Sequence, residues 1–138
     1  MITSDPVDSL EPIVEPKTSY VYYLSSGSII KSNVDDSADR SVITRTGATN
    51  YIMDTRRNTI FYVLLNRNIL KEVLGGKKEV VLTSSGKITD VKYNAKKQIL
   101  YFVDAELGQI ESYDLKTQKR TVLYRGLNKP QTLKMTGR

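Results

Sequence analysis

The stretch "LYFVDAELGQIESYDL", residues 100–115, alternates apolar and polar positions, breaks at Glu106–Gln109, and alternates again. One strand, a glycine-containing turn and a second strand account for it. The same design stands twice more upstream. Val21-Tyr22-Tyr23-Leu24, Ile60-Phe61-Tyr62-Val63 and Leu100-Tyr101-Phe102-Val103 recur at spacings of 39 and 40 residues. Each is followed by a polar break and an Ile (Ile30, Ile69, Ile110), then by a strand carrying Val42-Ile43, Val81-Leu82 or Val122-Leu123, then by Gly47, Gly86 or Gly126. Beyond each Gly lies one more alternating strand, at Tyr51/Met53, Val91/Tyr93 and Leu133/Met135. The turns "DTRRN" and "NAKKQ" close two of these strands. "EPKTS" stands in the same phase near the start, after Pro12 and Val14.

A period near 40 built of four short strands is the mark of a β-propeller blade, whereas solenoid repeats of similar length are helical. No helical period competes with it. Lys71–Val81 carries Gly75-Gly76 in its middle, which costs a helix about 1 kcal/mol per Gly and suits a turn between strands. A small β-sandwich or barrel is the alternative, but neither requires four strands to recur in phase three times. The fold class expected is all-β: a β-propeller segment of about three four-stranded antiparallel blades plus the inner strand of a fourth. The expected division is a tail at 1–9, blades at 10–48, 49–88 and 89–130, and the extra inner strand at 131–138.

Composition agrees. The 138 residues are 39% hydrophobic and 26% charged, with nine Tyr, two Phe and no Trp, a balance that suits a folded domain rich in strands. No apolar run approaches the roughly 18 residues of a membrane span, and the first thirty residues lack the pattern of a signal peptide. With no Cys, disulfides and thiolate chemistry are excluded. With no His either, serine, cysteine and His-metal catalysis lose their usual base or ligand, and no Gly-x-Ser-x-Gly elbow occurs. Asp35, Asp36 and Asp39 lack the Gly and Glu spacing of a calcium loop and read as a solvated turn. No catalytic residue, metal ligand or cofactor is expected.

The third repeat, "LYFVDAELGQIESYDLKTQKRTVLYRGLNKPQTLKM", resembles the YWTD repeat (LDL-receptor class B) of six-bladed propellers. Tyr101, Phe102, Val103 and Asp104 fall on the namesake motif, and Gly126-Leu127 with Pro130 falls on the family's closing Gly-Leu-x-x-Pro segment. "SNVDDSADRSVI", residues 32–43, is similar to the family's turn between its third and fourth strands. The chain departs from the pattern with Tyr23, Tyr62 and Phe102 at the Trp position, and with Ser25 and Leu64 where the third repeat has Asp104. The resemblance covers about residues 10–136. It implies that the strand after each Gly is innermost, that the aromatic strand is second, and that the aromatics form blade-to-blade core.

It also implies a non-catalytic recognition or scaffold module, extracellular or lumenal, with a protein ligand or a sulfated glycan as partner. Closed propellers need about four to eight blades, so the remaining blades come from the same chain or from a second one. A structural half-propeller completed by self-association is one alternative. A metal-dependent hydrolase of another six-bladed family is another. In such hydrolases acidic and amide side chains on inner strands face the axis; Glu15, Asp54 and Asn94 are the matching positions, but each abuts the turn leaving its strand.

Charge locates a candidate surface. The net charge is +6, and placing the cations on the repeat puts Arg56, Arg57, Lys96 and Lys97 in first-to-second strand turns. Lys77, Lys78, Lys116, Lys119 and Arg120 fall in third-to-fourth strand turns. Up-and-down strands bring both turn classes to one end of each blade, making a basic rim suited to polyanions or acidic protein surfaces. Nucleic acid is not expected, because no exposed aromatic platform accompanies the charge, and no membrane contact by this segment is expected. The other rim, at Ser25–Gly27, Asn66–Asn68 and Glu106–Gly108, is mixed.

Overall fold

The computed structural model describes residues 19–136, and these contain strands and turns without a helix. β1 (Tyr20–Ser25), β2 (Ser28–Asn33) and β3 (Arg40–Arg45) form one sheet. β4 (Asn50–Asp54), β5 (Thr59–Leu64), β6 (Asn68–Val73) and β7 (Lys78–Thr83) form the second. β8 (Ile88–Asn94), β9 (Ile99–Asp104), β10 (Gln109–Asp114) and β11 (Lys119–Tyr124) form the third. Neighbouring strands within each sheet are antiparallel and consecutive in sequence. Three propeller blades result, with Tyr22, Phe61 and Tyr101 third in the equivalent strands β1, β5 and β9.

Why these segments are strands follows from their side chains. β5, Thr-Ile-Phe-Tyr-Val-Leu, is β-branched or aromatic almost throughout and is buried on both faces, because a blade covers each side of it. Phe61, Val63, Ile69 and Leu82 of the second blade pack against Ile88, Val91, Leu100 and Phe102 of the third. Ile60 and Tyr62, on the opposite face of β5, pack with Ile29 and Ala48 toward the first blade. The core is therefore two layers between three sheets.

The turns repeat as faithfully as the strands. Asp54 Oδ1 accepts from Arg57 N at 3.2 Å, Asn94 Oδ1 from Lys97 N at 3.0 Å, and Asp114 Oδ1 from Lys116 N at 2.8 Å. Each is a side chain closing its own turn, and the last turn residue is left-handed at Asn58, Gln98 and Gln118. Asp54 and Asn94 thus serve the backbone at the positions weighed for hydrolase chemistry. Gly27 O accepts from Thr46 N and Gly47 N at 2.8 and 2.9 Å. A Cβ on Gly27, whose φ is +79°, would come within 2.9 Å of Gly47 Cα, so this crossing of two turns requires glycine.

Two boundaries differ from expectation. Ile88 opens β8 and belongs to the third blade rather than the second. Residues 131–136 form no strand, because a strand exists only by pairing and no neighbour among the described residues pairs with this segment. The segment nevertheless runs beside β8, where Thr89 Oγ1 donates to Gln131 O at 2.7 Å and Leu133 N donates to Asp90 Oδ2 at 2.8 Å. The tail at 1–9, the first inner strand with Pro12 and Val14, Glu15, Gly137 and Arg138 lie outside the described residues.

Candidate binding surface

The turns β4–β5, β6–β7, β8–β9 and β10–β11 lie at one end of the second and third blades. Two contacts fix the adjacent blades with these ends together. Arg57 Nη1 donates to Ala95 O at 3.2 Å, and Tyr93 donates its hydroxyl hydrogen to Asp54 Oδ2 at 2.8 Å. Arg56, Arg57, Lys77, Lys78, Lys96, Lys97, Lys116, Lys119 and Arg120 are all exposed at this end.

They do not all do the same thing. Arg57 pairs with Asp54 at 2.8 Å, and Arg120 Nε pairs with buried Glu111 at 2.7 Å. Lys78 stands 3.9 Å from Glu72. These three cations are fastened to the fold. Among the described residues Arg56, Lys77, Lys96, Lys97, Lys116 and Lys119 have no carboxylate within ion-pair distance, so their charge is directed to solvent.

Below the rim lies a cleft of about 200 Å³ between the second and third blades, lined by Asp54, Arg57, Phe61, Lys71, Tyr93 and Leu115 among others. Burial opposes ionisation of Asp54, yet the hydrogen bonds from Arg57 and Tyr93 outweigh it and hold its carboxyl below the ordinary range. Burial, helped by the bond to Asp54, pushes the Tyr93 phenol up to about 12. A neutral phenol donating to a carboxylate that also holds a guanidinium is a satisfied hydrogen-bonded group.

At the opposite end, Asp104 is fully buried and organises the passage between blades. Its carboxylate accepts from the Ser84 hydroxyl, from Lys87 N at 3.1 Å and from Leu107 N at 2.8 Å. Burial would raise its pKa, but these donors together lower it. Gly86 abuts the carboxylate so closely that a Cβ there would overlap it. Leu64 at the equivalent place accepts nothing through its side chain, and Gly47 lies beside it instead.

The acidic cluster also serves a turn. Asp39 Oδ2 accepts from the Tyr20 hydroxyl and from Asn33 Nδ2, both at 3.1 Å, and Asp36 Oδ1 accepts from Ala38 N at 3.1 Å. Among the described residues, no group of three or more His, Cys, Asp or Glu could hold a metal ion.

Sequence reasoning missed the Asp54–Tyr93 bond and the Glu111–Arg120 pair. The first had a signal: the partners lie one repeat apart, which places them on adjacent inner strands. The second had a weaker one, a Glu on a strand otherwise packed against the aromatic Phe102.

The fold is a β-propeller segment. In a solved structure of a nidogen/laminin complex, one chain is similar to this one with a TM-score of 0.64 at 23% identity. The match covers 80% of this chain, which spans 45% of that one. No family model matches the chain, and no curated protein matches it.

Proposed function

We propose that this chain is a non-catalytic recognition and scaffold module of the YWTD β-propeller type, extracellular or lumenal, that binds an acidic protein ligand or a sulfated glycan through its basic turn end. The observation that carries the reading is the set of six exposed cations that have no carboxylate partner among the described residues, at one end of the second and third blades. A multiply charged anion lying across the turns neutralises several of them at once. Support for the family comes from Asp104, which stands at the motif's Asp and is fully hydrogen-bonded there. Support for protein recognition comes from the neighbour's occurrence in a two-protein complex.

Heparin chromatography tests the surface. Lys77→Glu, Lys96→Glu and Lys116→Glu together remove three exposed rim cations, and Arg45→Glu, Lys87→Glu and Lys129→Glu remove three exposed cations at the other end. The first triple should elute without added salt, while the second keeps most of the parent's retention. Retention of the parent should also fall steeply with salt, since exposed charges are screened over about 8 Å at physiological ionic strength. Equal losses from both triples, in proteins that melt like the parent, would show that net charge alone is responsible.

A further inference from the structure

The seam between the second and third blades differs from the seam between the first and second. Lys71, opposite Phe61 in the β5–β6 ladder, shares the face on which Phe61 packs against the third blade. Lys31, the equivalent residue of the first blade opposite Tyr22, holds its ammonium 4.3 Å from the Tyr20 ring centroid. The seam between the first and second blades also carries a buried carboxylate, Glu72, which stands opposite Ile60 and accepts from the Thr44 hydroxyl at 3.0 Å. In the third blade Tyr113, opposite Leu100, takes the place of Glu72. The seam that contains Lys71 thus has a phenol where the preceding seam has its carboxylate.

Lys71 is half-buried, and among the described residues no carboxylate lies within ion-pair distance of it. It stands where two hollows meet. The inner one is the cleft of about 200 Å³ bordered by Phe61, Tyr93 and Gln98, and the outer one, of about 310 Å³, is bordered by Val81, Tyr113 and Gln118. Leu115 lines both. Asp54, in the inner hollow, is already engaged by Arg57 and Tyr93. Glu79, opposite Lys71 in the β6–β7 ladder, is exposed in the outer one. A cation with no described carboxylate partner therefore lies between aromatic and aliphatic walls, with two glutamine amides at their edges.

We infer that this cleft receives an aspartate or glutamate side chain of a protein ligand, its carboxylate against the Lys71 ammonium and its methylene stem among Tyr93, Tyr113 and Leu115. The inference rests on the reading of the turn end as an anion-binding surface, and it selects the acidic protein over the sulfated glycan as partner. Both hollows have room for a side chain, their walls can cover an apolar stem, and one cation fixes the orientation of the tip. A glycan chain is hydroxylated along its length and would set its sulfates on the exposed rim cations instead. Salt also screens a half-buried pair less than an exposed one, so the contact at Lys71 persists where rim contacts weaken.

Titration of the full chain with two probes, a capped hexaglutamate peptide and a heparin hexasaccharide, followed through its amide NMR signals, tests it. The peptide should shift the amides of Lys71, Tyr113 and Leu115, whereas heparin should shift those of the turns that carry Lys77, Lys96 and Lys116. Lys71→Met keeps the stem and removes the charge. It should weaken peptide binding by about tenfold, the loss expected for one charge-assisted hydrogen bond, and leave heparin binding unchanged. Lys71→Arg should retain the peptide. Glu79→Gln removes a like charge from the outer hollow and should tighten peptide binding by about twofold. The triple Lys77→Glu, Lys96→Glu and Lys116→Glu should weaken both probes. A triple that binds both like the parent would overturn the reading of the turn end, whereas a weakened triple beside a Lys71→Met protein that binds the peptide like the parent would overturn the cleft alone. Peptide shifts confined to the rim turns, or equal losses of both probes in a folded Lys71→Met protein, would overturn it as well.

Discussion

Tyr93 and Asp54 stand one repeat apart, on the inner strands of adjacent blades, and the phenol of one donates to the carboxylate of the other across 2.8 Å. The same Tyr93 ring lies 5.0 Å from that of Phe61, so a single side chain joins the apolar layer to the polar end of the interface.

Removing only the hydroxyl separates the two roles. Tyr93→Phe keeps the ring packing and leaves Asp54 one donor short, which should cost about 1–3 kcal/mol in urea unfolding. In an Asp54→Asn background the same change should cost less, with a coupling of at least about 0.5 kcal/mol in a double-mutant cycle. Additive losses would mean that the bond contributes nothing of its own.

Stability should depend on pH at both extremes. Asp54 and Asp104 have carboxyl pKa values lowered from 3.8 in the folded chain. Their contribution is present above about that value and is lost as pH falls through the lower folded values. Tyr93 is raised from 10.0 to about 12. Its contribution is complete below pH 10.0 and disappears as pH rises through about 12. Denaturation midpoints measured across pH should therefore be flat in the middle and fall at both ends, with Tyr93→Phe flattening the alkaline limb. An alkaline limb unchanged in that variant would show that another group titrates there.

Phe102 is 0% exposed and lies in the layer between the second and third blades, with the Arg120 guanidinium 5.5 Å from its ring centroid. Truncation to Ala removes a fully buried aromatic and should cost about 3–5 kcal/mol. Chemical denaturation reads the loss directly. A loss under about 1 kcal/mol would place the residue outside a packed interface.

Gly86→Ala should cost about 1–3 kcal/mol, because the added methyl must push the Asp104 carboxylate away from the Ser84 hydroxyl and Lys87 N. In an Asp104→Ala background the methyl has room and the penalty should shrink. Thermal melts of the four proteins decide it, and an undiminished penalty would locate the clash elsewhere.

The blades were legible because burial on both faces leaves a two-sided apolar strand. Three such strands one period apart, carrying Tyr22-Tyr23, Phe61-Tyr62 and Tyr101-Phe102, require sheets stacked face to face. Asp104 was legible through its place after the aromatic strand. Pairing among charges was not. Arg57 closes its own turn onto Asp54, whereas Lys96 in the equivalent turn has no carboxylate partner among the described residues, and composition makes no distinction between them. Arg120 meets Glu111 only because a bulge between Ile110 and Glu111 shifts the β10–β11 register, a backbone detail without a residue signature here. Residues 131–136 have the alternation of a strand, but alternation describes a face, and strand formation requires a partner.

The unequal cover of the three blades has a consequence for exchange of amide hydrogens. Blade contacts run only between neighbours, so each sheet's protection depends on how many of its faces are occupied. β5 is buried along nearly its whole length, whereas β1 is exposed at both ends and only half-buried between. Deuterium should therefore enter the first blade early and the second last, so that the slowest-exchanging amides mark the middle of the chain rather than either terminus.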